Sequence, residues 1–164
     1  MVANHASTSN PEYKMDSFGQ AGSETEFIRR TTPPVTGRVL VMDDDKTLLE
    51  FVSMALATIK VDVVAADNGR EAMRHFDFAR SIGSPFKLVI LDLVIPNGQG
   101  GEETLRQIRF VDTEVKVIVS SGYSHVLEVT QCKHHGFDGS LPKPYRGADL
   151  LRVAFENLPR KNAQ

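Results

Sequence analysis

Four of the apolar runs in the sequence are followed by side chains that can bind cations or phosphoryl groups. These side chains are Asp43-Asp44, Asp92, Ser120-Ser121 and Lys143. Three carboxylates in one pocket repel each other unless a cation joins them, and oxygen ligands of this kind suit Mg²⁺. The hydroxyl of Ser121 and the ammonium of Lys143 would donate hydrogen bonds to phosphoryl oxygens. If the fold brings these groups together, they fit phosphoryl transfer with Asp92 as the nucleophile, because carboxylates form aspartyl-phosphate intermediates.

The apolar runs predict strands that are buried on both faces. They lie at residues 39–42, 61–66, 88–91 and 115–119, with a weaker run at 139–141. Each of the first four is rich in branched residues and apolar at nearly every position, as strands of a parallel sheet are. Segments with helical spacing alternate with these runs, although the segment after Ser124 has a thin apolar stripe. Five strands alternating with five helices predict right-handed βαβ units in a single doubly wound α/β sheet.

The strand order decides whether the polar residues meet. In the flavodoxin-like order 2-1-3-4-5 the first and third strands are neighbours at the point where the order reverses, and ligands bind outside the carboxyl ends of strands at such a point. Asp43, Asp44 and Asp92 would then converge on one small site. Asp45 and Asn68 are the predicted N-caps of the first and second helices of the sheet domain.

The composition fits one ordinary domain with a tail. The chain has 164 residues, 41% of them hydrophobic, and a net charge of −2, which gives no overall basic field to attract nucleic acid or an anionic membrane. No apolar run approaches the roughly 20 residues that span a bilayer, and the N-terminus has no secretory pattern. A single cysteine, Cys132, excludes an internal disulfide and fits a reducing compartment. We therefore expect a cytoplasmic protein.

The chain divides into three segments by composition. Residues 1–36 are rich in Ser, Thr, Asn, Gly and Pro, and they predict a flexible N-terminal tail. A short helix at 24–30 would have Phe27 and Ile28 as its anchors. Residues 37–158 hold the alternating pattern of strands and helices, and residues 159–164 form a short C-terminal tail.

The ordered set of motifs over residues 37–158 resembles the receiver domain of two-component response regulators. The resemblance implies that Asp43 and Asp44 form the acidic pair, with Asp44 a direct Mg²⁺ ligand, and that Asp92 is the phosphorylated residue and also a metal ligand. It implies that the backbone carbonyl of Val94 is the third protein ligand of Mg²⁺. Ser121 would hydrogen-bond the phosphoryl group, and Lys143 would bind it and be followed by a cis bond to Pro144. The glycine-rich loop after Pro96 is similar to loops in receivers of hybrid sensor kinases.

The resemblance also implies a function without classical enzyme activity. The chain would be a phosphoprotein of a two-component system or phosphorelay, receiving its phosphoryl group from a histidine kinase or a histidine phosphotransfer protein. Because about 20 residues follow Lys143, we expect no DNA-binding output domain after it, and signalling through the face of the fourth helix, fifth strand and fifth helix of the receiver domain. One alternative is a docking module that works without phosphorylation. An aspartyl-phosphate phosphatase is disfavoured because Val94 stands where its acid Asp would be.

Three positions depart from the common receiver pattern or tune it. Ser140 stands three residues before Lys143, where the family often has the Tyr or Phe that rotates on activation, so the usual aromatic switch is absent. Val94 and Tyr123 occupy the positions that tune the lifetime of the phosphoryl group. Since a hydrophobic side chain and a bulky ring hinder an attacking water, we expect slow self-dephosphorylation.

Overall fold

The computed structural model describes residues 24–96, 98–122 and 134–161. In chain order its elements are α1 (Glu24–Thr31), β1 (Arg38–Met42), α2 (Lys46–Ala57), β2 (Asp62–Ala66), α3 (Gly69–Ser81), β3 (Leu88–Asp92), α4 (Gly101–Val111), β4 (Lys116–Ser121), β5 (Gly139–Pro142) and α5 (Gly147–Asn157). Four of the five helices predicted around the sheet are α2, α3, α4 and α5. The fifth, predicted after Ser124, falls on residues 123–133 and lies outside the described part of the chain.

The five strands form one parallel sheet in the order β2-β1-β3-β4-β5. The predicted fold class and strand order are therefore confirmed. Side chains alternate between the two faces of a strand. Val39 and Val41 accordingly join one apolar layer, which also contains residues of α2 and α5. Leu40 and Met42 join the opposite layer, with residues of α3 and α4.

Side-chain caps fix where two helices begin at the carboxyl edge of the sheet. The carboxylate of Asp45 accepts hydrogen bonds from the N–H groups of Thr47 and Leu48, at 2.9 and 3.2 Å, and caps α2. The side chain of Asn68 accepts one from the N–H of Glu71 at 3.0 Å and caps α3. Both predicted N-caps are confirmed.

Residues 24–36, which the composition assigns to the tail, lie against the sheet domain. Ile28 of α1 packs on the layer that contains α2 and α5. Val35 is 4% exposed and forms an isolated antiparallel bridge with Arg160, which follows α5. Glu24, the first residue of α1, forms ion pairs with Arg146, which directly precedes α5, and with Arg152 in α5. No helix in the described ranges is both long enough and apolar enough to cross a membrane.

Candidate functional site

Three carboxylates meet at the carboxyl ends of β1 and β3. Asp43 directly follows β1 and Asp92 ends β3, and both are buried, whereas Asp44 is exposed. One carboxylate oxygen from each of the three residues lies within 4.8 Å of the others. Because β1 and β3 are neighbours in the sheet, residues that are 49 positions apart in the chain come into one cluster (92 − 43). This is the convergence that the sequence predicts for the order 2-1-3-4-5.

Lys143 brings a positive charge into this cluster. Its ammonium donates hydrogen bonds to Oδ2 of Asp43 at 2.6 Å and to Oδ2 of Asp92 at 2.8 Å. The side chain of Lys143 is 23% exposed, so the contacts are partly shielded from water. Its backbone N–H donates to the carbonyl of Ser121 at 2.9 Å, and the bond from Lys143 to Pro144 is cis, as the resemblance implies.

The pKa values of Asp43 and Lys143 follow from burial and from hydrogen bonds. Burial raises the pKa of Asp43 above its ordinary value, although the hydrogen bonds from Lys143 and from the N–H of Asp45 oppose the rise. For Lys143, burial lowers the pKa, but the hydrogen bonds to Asp43 and Asp92 outweigh burial and the net pKa is raised. Lys143 is therefore protonated at neutral pH. Its ammonium is shared by two of the three carboxylates, those of Asp43 and Asp92.

The other two predicted site residues lie on the borders of the cluster. Ser121 ends β4 and is buried, and it pairs with Pro142 in the register of β4 and β5. Val94 follows Asp92 by two residues, and its N–H lies 3.4 Å from Oδ1 of Asp92. The side chain of Val94 is 51% exposed, beside the carboxylates. All the residues that the sequence selects thus lie at one end of the sheet.

Two residues beside the cluster have no role of their own in the sequence analysis. Ser120 pairs with Asp92 in the register of β3 and β4, and Tyr145 follows Lys143 by two residues. Tyr145 packs on the layer that contains α2 and α5, and its pKa, raised to about 12 by burial, is also affected by the charges of Asp43, Lys143 and Asp92. The sequence carried a signal for Ser120 in the pair Ser120-Ser121, but the pattern alone does not tell which hydroxyl faces which layer.

A comparison with protein families agrees with this geometry. Residues 39–155 match the model of the response regulator receiver domain. The chain belongs to this family. Receiver domains are signalling modules of two-component systems, they are phosphorylated by histidine kinases, and they bind Mg²⁺ at an acidic pocket.

The receiver domain is similar to several curated proteins. It is 32% identical over 114 residues to the transcriptional regulatory protein CpxR homolog of Haemophilus influenzae, which covers 70% of this chain and 47% of the relative. It is 32% identical over 124 residues to the transcriptional regulatory protein AruR of Pseudomonas aeruginosa, which covers 76% of this chain and 50% of the relative. The chain therefore spans about half the length of these relatives.

Solved structures share the fold. The chemotaxis protein CheY4 of Vibrio cholerae matches with a TM-score of 0.66 at 25% identity, over 75% of this chain and 99% of the other. The receiver domain of DrrB, solved in a form activated by BeF3, matches with a TM-score of 0.58 at 28% identity, over 74% of this chain and 97% of the other.

Proposed function

We propose that Asp92 accepts a phosphoryl group from a phosphohistidine, and that the modified receiver domain signals through contacts with other proteins. The observation that carries the proposal is the position of Lys143, whose ammonium lies 2.6 Å from Asp43 and 2.8 Å from Asp92. A lysine that already holds the oxygen of the acceptor carboxylate is well positioned to hold the oxygens of a phosphoryl group added there. Ser121 is proposed to donate a further hydrogen bond to that group.

The donor set fits a magnesium ion. All the side-chain donors are carboxylate oxygens, which hard divalent cations prefer, and exposed Asp44 leaves room for metal-bound waters. Lys143 neutralises one of the three negative charges, so a negative balance remains to attract a cation. We propose Asp43, Asp44, Asp92 and the backbone carbonyl of Val94 as the residues that hold it. The metal would neutralise charge on the transferred phosphoryl oxygens.

The proposed reaction moves one phosphoryl group between two protein side chains. A carboxylate oxygen of Asp92 forms a bond to phosphorus, and the bond from phosphorus to the donor's histidine nitrogen breaks. The electron pair of the broken bond stays on the imidazole. Lys143 keeps its proton throughout, because its raised pKa favours the ammonium. The ammonium stabilises the negative charge that develops on the phosphoryl oxygens.

The output is proposed to be a protein surface. The candidate is the face made by the helix predicted after Ser124, by β5 and by α5, because β5 ends directly before Lys143 and α5 begins at Gly147. Two relatives of the chain are named transcriptional regulatory proteins, and the chain spans about half of their length. Contacts with DNA are therefore not proposed for the residues of this chain, whose net charge is −2.

The first test is intact-mass analysis after incubation with Mg²⁺ and acetyl phosphate. We expect the mass of one phosphoryl group to be added to the wild-type chain and to be absent from Asp92→Asn. Asp62→Asn is the matched control, because Asp62 is an exposed carboxylate on β2 that pairs with Arg38, and it should keep the adduct. An adduct that persists in Asp92→Asn would disprove the assignment of the acceptor.

The same experiment tests the alternative function and the lifetime of the phosphoryl group. Absence of an adduct in the wild-type chain, together with failure to bind beryllofluoride and Mg²⁺, would favour the docking module that works without phosphorylation. Decay of the adduct should take minutes or longer if Val94 and Tyr123 hinder water, and a half-life of seconds would contradict that expectation.

A further inference from the structure

A buried hydroxyl next to the acceptor has no hydrogen bond. Ser120 is 2% exposed, and its Oγ has no hydrogen-bond partner in the part of the chain that the structure describes. Native proteins rarely leave a buried polar atom unpaired, because its lost contacts with water are then uncompensated. A group of this kind beside a site that changes its charge suggests that its partner arrives in another state of the protein.

The strand register places this hydroxyl on the side of the sheet that Asp92 faces. Ser120 pairs with Asp92 on β3 and with Leu141 on β5. It follows Ile118 by two residues, and Ile118 and Leu141 both belong to the layer that contains α2 and α5. Because side chains alternate along a strand, Ser120 faces this layer, as Asp92 does two residues after Ile90.

Tyr145 is the neighbouring residue that can supply the missing hydrogen bond. It is partly buried against the same layer, and its ring lies 6.4 Å from the ring of Phe51 on α2. Burial raises the pKa of its hydroxyl to about 12, and the hydroxyl of Ser120 is near enough to oppose part of that rise. The two hydroxyls are therefore neighbours, but no hydrogen bond of ordinary geometry joins them, since Oγ of Ser120 has no partner among the described residues.

A phosphoryl group on Asp92 would change the forces on the segment that carries Tyr145. The new group brings extra negative charge and new acceptor oxygens, and it competes with Asp43 for the ammonium of Lys143. Tyr145 is joined to Lys143 through Pro144 alone, so a displacement of Lys143 moves the start of the segment that ends in the Tyr145 ring. Such a displacement changes the position of the Tyr145 hydroxyl relative to Oγ of Ser120.

We propose that Ser120 and Tyr145 form a switch pair, in which the hydroxyl of Tyr145 donates a hydrogen bond to Oγ of Ser120 when Asp92 carries a phosphoryl group. This inference rests on the proposed function of Asp92. It gives the receiver domain an aromatic residue that responds to phosphorylation, although Ser140 has no ring. Both members of the pair act by positioning, because neither is proposed to touch the phosphoryl group.

Residues of three helices lie next to the switch pair. The ring of Phe51 neighbours that of Tyr145. A Cβ atom added to Gly147, the first residue of α5, would lie 4.0 Å from the Phe51 ring. The same added atom on Gly147 would meet the hydroxyl of Thr25, in the first turn of α1, at 3.8 Å. A shift of the Tyr145 ring would therefore change the packing where α1, α2 and α5 meet.

The test is a double-mutant cycle on the binding of beryllofluoride, a phosphoryl analogue, in the presence of Mg²⁺. Affinity is measured by calorimetry for the wild-type chain, Ser120→Ala, Tyr145→Phe and the double variant, and Ser53→Ala is the control that removes a hydroxyl from α2. We expect each single substitution to weaken binding about fivefold, as the loss of one hydrogen bond does, and the double variant to be no weaker than either. The same cycle on thermal stability without beryllofluoride should show additive effects.

The outcomes separate this inference from the proposed function. If the wild-type chain does not bind beryllofluoride, the phosphoryl site itself is wrong and the switch pair falls with it. Two results would keep the site and disprove the pair. In the first, both single variants bind beryllofluoride as tightly as the wild-type chain. In the second, the fold-losses in affinity of the two single variants multiply in the double variant, as independent effects do. Coupling of the same size with and without beryllofluoride would also overturn the proposal, since the hydrogen bond would then be a fixed part of the fold.

Discussion

At the scale of single residues, the site depends on how the charges of Asp43, Asp92 and Lys143 balance. Two buried carboxylates share one ammonium, at distances of 2.6 and 2.8 Å. Removing one partner of a buried ion pair costs more than the pair contributes, because the remaining charge stays buried and unpaired. The lysine therefore has a structural role in the unphosphorylated chain besides its proposed role in binding the phosphoryl group.

We predict that Lys143→Met lowers the free energy of unfolding at pH 7 by about 2–3 kcal/mol, somewhat less than for a fully buried pair because Lys143 is 23% exposed. The pKa of Asp43 is already raised, so the folded chain binds a proton more readily there than the unfolded chain does. Lowering the pH toward that pKa thus favours the folded state at Asp43, and it should recover part of the loss in the variant. Urea denaturation at pH 7 and pH 5 measures both effects.

The control for this prediction is Lys116→Met, which removes a more exposed lysine from its ion pair with Asp138. Exposed pairs contribute little, so we expect a loss below about 1 kcal/mol. The interpretation fails if the two variants lose the same stability, or if Lys143→Met becomes no more stable relative to the wild type at pH 5.

A second prediction at this scale concerns the ionisation of Tyr145. Burial raises its pKa to about 12, so a tyrosine absorbance titration of the folded chain should contain a component near pH 12. Tyr145→Phe should remove that component. Because the unfolded chain loses this proton first, the hydroxyl should cost stability as the pH rises from 10 toward 12, and the variant should lose less stability in that range. If the component that Tyr145→Phe removes instead lies near the ordinary tyrosine value of about 10, the hydroxyl is exposed and the prediction is wrong.

At the scale of elements, glycines allow α3 and α4 to begin against the carboxyl edge of the sheet. A side chain on Gly101, the first residue of α4, would lie 2.6 Å from the carbonyl oxygen of Asp92. On Gly69, the first residue of α3, it would collide with the hydroxyl of Thr104 and with Gln99. The backbone of α4 therefore approaches the end of β3, and the backbone of α3 approaches Thr104 and Gln99, more closely than any larger residue permits.

We predict that Gly101→Ala lowers the free energy of unfolding by about 1–3 kcal/mol, because the added methyl group displaces either α4 or the end of β3. Since Asp92 ends β3, the same substitution should slow the formation of the acetyl phosphate adduct. Gly147→Ala is the matched control, at the first residue of α5, where the added atom would meet its nearest neighbour at 3.8 Å. Equal stability and equal rates in the two variants would argue against a constraint at Gly101.

At the scale of the whole molecule, the segment before β1 belongs to the packed structure from residue 24 onward. Val35 is buried, Ile28 packs on the layer that contains α2 and α5, and Glu24 pairs with two arginines of the α5 region. The ion pairs are exposed and contribute little, so the burial of apolar side chains is the main contribution of this segment to stability.

We predict that removing residues 1–34 and replacing Val35 by Ala lowers the free energy of unfolding by about 2–4 kcal/mol, from the lost burial of Ile28 and Val35. Phosphorylation at Asp92 should persist, because no residue of the acidic cluster is touched. Removal of residues 1–23 alone is the control and should cost less stability than the longer truncation, because Ile28 and Val35 are kept. Thermal and urea denaturation provide the comparison, and equal stability of the two truncated chains would contradict the prediction.

The sequence by itself determined the sheet and the location of the site. Branched apolar runs mark strands buried on both faces, side-chain caps mark the starts of α2 and α3, and the polar residues after the runs lie where a parallel sheet binds ligands. These are local signals, each readable within a few residues. The roles of the site residues follow from the resemblance to receiver domains and remain predictions until phosphorylation is measured.

The tertiary structure decided the features that depend on contacts between distant parts of the chain. Lys143 meets a carboxylate 100 residues earlier, and no local pattern tells that it bonds Asp43 as well as Asp92. The unpaired hydroxyl of Ser120 and the burial of Tyr145 likewise depend on the register of β4 with its neighbours and on the packing of α2. Burial and hydrogen-bond satisfaction are properties of the assembled layers, so they become visible when the strands and helices are in place.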